Sequence, residues 1–200
     1  MRTQNHFNRR GIDLDTPHHW VIDGVGYPML FFKHLSKLVP AGTILYFEGT
    51  KIVPAAAQLY LAHRATNAME VVQETVIPLP QMYHCVMSDE LLKTLGEMAA
   101  GRPASDLFHH LKAYRESVLL FTWNDAYEGE LRISEHVTEN ALERFCQALG
   151  ISARREKTEQ PKPEALPLER ISLRSSADAE DEEVPKDSWY QRAWAWMMKE

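Results

Sequence analysis

Four acidic residues stand where extended runs of the chain give out. Asp23 closes His19–Asp23, Glu48 follows Thr43–Phe47, Asp89 lies just beyond Met82–Met87, and Asp125 follows Val118–Trp123. In an open parallel sheet, ligands bind outside the carboxyl ends of the strands. Parallel neighbours would therefore bring these carboxylates to one edge. Clustered carboxylates are hard oxygen ligands suited to Mg²⁺ or Mn²⁺, the arrangement used for phosphoryl transfer and phosphodiester hydrolysis. On that reading Asp23, Glu48 and Asp125 hold the metal and His19 or His84 moves protons, as in a phosphoesterase or nuclease-like hydrolase. Ordinary structure also accounts for the same residues. Asp89 falls in the first turn of a helix, where the dipole favours a carboxylate. Asp23-Gly24, Glu48-Gly49 and Asn124-Asp125 are common turn pairs.

The nine histidines add little to the metal reading. His109 and His110 would point about 100° apart on a helix, so they could not share an ion from there. No His-x₃-His or HExxH spacing occurs, which removes the usual zinc signatures. His34 falls on an apolar helical stripe. His84 and Cys85 are strand neighbours facing opposite ways, which argues against a dyad. Cys85 and Cys146 sit in apolar runs and read as reduced core thiols. There is no Gly-x-Ser-x-Gly elbow and no Walker A. Gly24-Val25-Gly26 has two glycines of a dinucleotide fingerprint, but Met29 occupies the third position, so it reads as a βα turn.

The end of the sequence carries a different signal. Three of the five tryptophans fall within residues 189–200. Ser188 followed by Gln191 has the spacing of a capping box. A helix there would gather Trp189, Trp196 and Met197 on one face, with Tyr190 and Trp194 flanking. These residue types are enriched at binding hot spots. A helix so short is marginal alone in water and needs a surface to dock on.

The elements that would position these groups follow from periodicity and punctuation. Pro28 and Pro54 open helices at their tolerated first-turn position. Ser88 caps a helix bearing Leu91, Leu92, Leu95 and Met98, and Thr138 caps one bearing Leu142, Phe145, Cys146 and Leu149 that stops at Gly150. Ser105 reads as the cap of a further helix in which Leu107, Leu111 and Tyr114 align. Residues 69–80 are ambiguous, β-branched but broken by two prolines. Val118–Trp123 is the strongest strand, with Glu130–Val137 as an antiparallel partner. Strands alternating with helices predict an α/β fold, a mostly parallel sheet flanked by helices with a C-terminal antiparallel hairpin.

The resulting organisation has four parts. Residues 1–17 form a polar arm and 18–150 the globular α/β domain. Residues 151–187 are a polar linker, too poor in apolar side chains to offset ordering entropy and expected to be disordered. Residues 188–200 form the Trp-rich terminal helix. The net charge is −6, with 44% hydrophobic and 25% charged residues. Both 1–150 (13 Lys/Arg against 17 Asp/Glu) and 151–200 (9 against 11) are slightly acidic, which disfavours nucleic acid and anionic membrane surfaces. The opening residues lack an apolar signal core and no run is long enough to span a bilayer, so a cytoplasmic location is expected. The sequence leaves the enzyme question open. It favours a non-enzymatic interaction or accessory protein without a cofactor, bound to a protein partner or to itself through Trp189, Tyr190, Trp194, Trp196 and Met197. The alternative is the Mg²⁺- or Mn²⁺-dependent hydrolase.

Overall fold

The computed structural model describes residues 11–157. Its centre is a seven-stranded sheet built from β1 (His18–Ile22), β2 (Ile44–Gly49), β3 (Gln81–Val86), β4 (His110–Arg115), β5 (Val118–Trp123), β6 (Leu131–Ser134) and β7 (Arg154–Lys157). The spatial order is β3-β2-β4-β5-β6-β1-β7. Every neighbouring pair is antiparallel. The expectation of a mostly parallel sheet is therefore corrected.

The physical reason lies in residues 107–115. Leu107, Leu111 and Tyr114 have helical spacing, but the same stretch also alternates, with Leu111 and Ala113 against His110, Lys112 and Tyr114. Pairing on both sides decides in favour of the strand. Only a single 3₁₀ turn, Ala104–Asp106, forms before it, and β4 then inserts between β2 and β5. Consequently β1, β2 and β5 do run in the same direction, yet an antiparallel strand separates each from the next. The hairpin β4–β5 turns at Glu116, which adopts positive φ. The sheet also continues past Gly150, because β7 pairs with β1.

Helices α1 (Pro28–Leu38), α2 (Pro54–Ala62), α3 (Asp89–Ala99) and α4 (Glu139–Leu149) connect these strands. Proline opens α1 and α2. The Ser88 hydroxyl accepts from Leu91 N–H at 3.2 Å, and the Thr138 hydroxyl accepts from Ala141 N–H at 3.3 Å. Gly150 ends α4 in the left-handed conformation, which costs glycine nothing. Helix α1 packs against both α3 and α4. Together these helices bury the larger core on one sheet face, with Phe47, Phe121, Trp123 and Ile133 directed into it. Phe31 is its hub, edge-on to Phe32, Phe121 and Phe145.

Among the described residues, the opposite face is covered only in part, by backbone rather than by a helix. Ile44, Tyr46, Tyr114 and Leu119 pack there against Ala65 and Val71, with Ile12 and Leu14 alongside. Ile12 bridges to Val71, accepting from Val72 N–H at 3.2 Å while its own N–H donates to Glu70 O at 2.9 Å. Gly11 makes that approach possible, because a Cβ there would meet the Glu70 carbonyl oxygen at 2.8 Å. Residues 69–80, ambiguous in the sequence, hold no strand. Their first part belongs to a strap, Ala65–Thr75, laid across this second face. Among the described residues, no helix is long and apolar enough to cross a membrane.

Candidate functional site: a buried ionic clamp beneath an apolar loop

Alternation along β2 and β4 sends Tyr46, Glu48, His110, Lys112 and Tyr114 to the face under the strap. Three of these would ordinarily be charged or polar surface residues. Lys112 is nevertheless fully buried. Its Nζ donates to the Val72 carbonyl oxygen at 2.7 Å and to Glu74 Oε1 at 2.6 Å. Glu48 is fully buried as well. Its Oε2 accepts from the Tyr46 hydroxyl at 2.8 Å and from Glu74 N–H at 3.1 Å, while Oε1 accepts from Thr75 N–H at 2.5 Å. Burying an ion is costly unless hydrogen bonds replace its water. The strap backbone supplies them here, so a sheet carboxylate and a sheet ammonium clamp residues 72–75 between them. Burial pushes the Tyr46 phenol pKa upward, and the adjacent Glu48 charge pushes it further, so the phenol stays a donor.

Immediately beyond the clamp, the chain exposes apolar side chains. Val76 is 62% exposed, Ile77 87% and Leu79 82%, with Pro78 and Pro80 between and after them. Met82 follows at the start of β3, 47% exposed and paired across the sheet with Glu48. An apolar run thus stands in solvent directly beyond a root fixed by buried charges.

The sequence-derived candidates fall as follows. Asp23, Glu48 and Asp125 lie toward the same edge of the sheet, because β1, β2 and β5 share a direction. Asp89 follows β3, which runs the other way, so it is at the opposite edge. With strands about 4.8 Å apart, two steps separate β2 from β5 and four separate β2 from β1. Asp125 is thus roughly 10 Å and Asp23 roughly 19 Å from Glu48 in strand position, which sets Asp23 apart from the other two. Asp23 is mostly exposed and pairs with Arg154. Among the described residues, no group of three or more His, Cys, Asp or Glu is arranged to hold a metal ion. His110 lies between the other two acids, paired in register with Glu48 and accepting from Asp125 N–H at its Nδ1 over 3.3 Å. Burial lowers its pKa below the ordinary histidine value, opposed by the charges of Glu48 and Asp125. His19, the other proposed proton carrier, is on β1, whereas His84 is on the far edge strand β3. His84 Nδ1 lies 2.9 Å from the Tyr114 hydroxyl. Trp189, Tyr190, Trp194, Trp196 and Met197 are outside the described residues.

Lys112 and Glu74 were absent from the sequence-derived candidates. The signal that could have found Lys112 is its register: it stands midway in an alternating run whose other members on that face, His110 and Tyr114, are also buried. No protein-family model, curated protein or solved structure matches this chain.

Proposed function

We propose that this chain is a protein-interaction or accessory protein whose sheet domain presents the loop Val76–Pro80, together with Met82, to an apolar cleft on a protein partner. The observation that carries this reading is the exposure of Ile77 and Leu79 directly beyond residues held by Glu48 and Lys112. Full burial of such side chains is worth roughly 1.5–3 kcal/mol each. Pro78 and Pro80 reduce the freedom the loop would lose on binding. The apolar residues outside the described part of the chain, Trp189, Tyr190, Trp194, Trp196 and Met197, would supply a second contact, which raises affinity through effective concentration. The chain's acidic balance suits a protein partner better than nucleic acid.

A photo-crosslinking side chain at position 77 of the full chain tests this reading in its native cell, with one at the exposed helix position Lys93 as control. A discrete protein adduct at 77 that is lost when Leu79 is also changed to Ser is the expected result. Ile77→Ser with Leu79→Ser should leave stability within about 0.5 kcal/mol, as for other solvated positions. Equal adducts at 77 and 93, or none at 77, would overturn the proposal.

A further inference from the structure

The strap is fastened to the sheet at both ends through side chains. Both oxygens of Glu48 already receive N–H or O–H donors, and Glu74 receives the Lys112 ammonium. At the other end of the strap, Met69 N–H donates to the Tyr114 hydroxyl oxygen at 3.1 Å. That hydroxyl lies 2.9 Å from His84 Nδ1, and it gives its hydrogen to that nitrogen when the neutral ring carries its proton on Nε2. The Ala65 N–H bond to the His84 carbonyl, at 2.8 Å, fixes the strap to the same residue of β3.

The geometry points to an acid-sensitive strap in which protonation of His84 releases the Met69 end of Ala65–Thr75 from the sheet. A proton on Nδ1 would place two hydrogens between that nitrogen and the phenol. The Tyr114 hydrogen would then have to turn away, and Tyr114 is fully buried. A buried donor deprived of its acceptor costs about 1–3 kcal/mol, and swinging the strap outward relieves it. The groups facing His84 do not favour an imidazolium. Tyr46 of β2 lies with its ring 4.9 Å away and Tyr114 of β4 at 5.9 Å, while Arg64, at the head of the strap, adds a like charge. Glu48 on the same face is engaged by Tyr46, Glu74 and Thr75. Burial, then Arg64, lowers the His84 pKa, so release falls on the acid side of the ordinary histidine range. The apolar contacts opposing release are few, since the cluster under the strap is much smaller than the helical core. The inference does not depend on what the loop binds.

The test follows amide exchange and His84 ring shifts by NMR in the full chain across the titration of His84. Met69 protection, corrected for intrinsic pH dependence, should fall about tenfold or more, matching loss of one part-buried hydrogen bond, while amides of β5 keep theirs. His84→Asn places a non-titrating carbonyl oxygen near the Nδ1 position and should keep Met69 protected throughout. Unchanged Met69 protection in the unmodified chain would overturn the inference. So would an identical loss in His84→Asn, which would show that His84 is not the sensor. Should His84→Asn fail to fold, the unmodified chain decides alone: Met69 amide and His84 ring midpoints must coincide, and separate midpoints refute the device.

Discussion

Replacing Lys112 with methionine removes the charge from the clamp while keeping the length of the side chain. The ammonium has no solvent contact and serves two acceptors, the Val72 carbonyl and Glu74. Its loss leaves that carbonyl without a donor and a carboxylate without a counter-charge. Breaking a buried ion pair from one side costs about 3–5 kcal/mol. The Glu74 side chain, however, retains 16% exposure, so water can solvate part of the orphaned charge. The expected loss is therefore near the lower end, about 3 kcal/mol, or roughly 6–12 °C in Tm for a chain of this size. Glu74→Gln should cost less, about 1–2 kcal/mol, because Lys112 keeps an amide oxygen and the Val72 carbonyl as acceptors. Lys112→Met with Glu74→Met removes both charges and should cost less than Lys112→Met alone, since no ion is stranded. Urea denaturation with constant m-values, with Glu74→Met measured as the second single, gives all four corners of the cycle. Two results would refute the reasoning: a Lys112→Met cost under about 1 kcal/mol, or a double variant as destabilised as the sum of its singles.

Two further predictions rest on the same coordinates. Burial is the first cause lowering the pKa of His19, His84 and His110, with Arg132 next for His19 and Arg64 for His84; their neutral forms are favoured in the fold, so stability is complete above the unfolded value of 6.5 and declines as pH falls through the folded values. Denaturation midpoints at pH 7.5 and 5.5 check this, and a rise toward the acid value would contradict it. Gly129→Ala should destabilise by more than about 2 kcal/mol, a backbone collision being one of the few mechanisms with large effects, because a Cβ at that position runs into the Asn124 carbonyl oxygen; a thermal midpoint equal to that of the unmodified chain would show that the turn gives way freely.

Much of the architecture could be read from local chemistry. The Ser88 and Thr138 caps, the prolines opening α1 and α2 and the αL glycine at 150 act over a few residues, so sequence carries them directly. The sheet's direction could not be read this way, because it turns on residues 107–115, where helical and alternating patterns coexist. Pairing with β2 and β5 decides that stretch, and those partners are remote in sequence. That one strand parts β2 from β5 and runs antiparallel to both, while the expected antiparallel pairing of β5 with its successor stands. The same contest explains the candidate site. Glu48 stood out as an acid at a strand end. Its role under the strap depends on Glu74 and Thr75 amides some 26–27 residues away. Lys112 lies in a run whose helical spacing hides its face, and its burial follows only from β4 being a strand. Ile77 and Leu79 were part of the ambiguous run 69–80, whose apolar content suggests burial, whereas the two prolines and the clamp before them leave it outside.

The two margins of the sheet differ in kind. On β3, His84 O and Val86 N, which face away from β2, are bonded to Ala65 N and His63 O. On β7, Arg154 engages Asp23, Glu130 and Glu156, and Arg155 engages Glu135. A seven-stranded sheet with open margins is a template for runaway polymerisation. A newcomer at β3 must first displace two backbone hydrogen bonds, and one at β7 must strip water from a lattice of opposed charges. Among the described residues, both margins of the sheet thus discourage growth by strand addition.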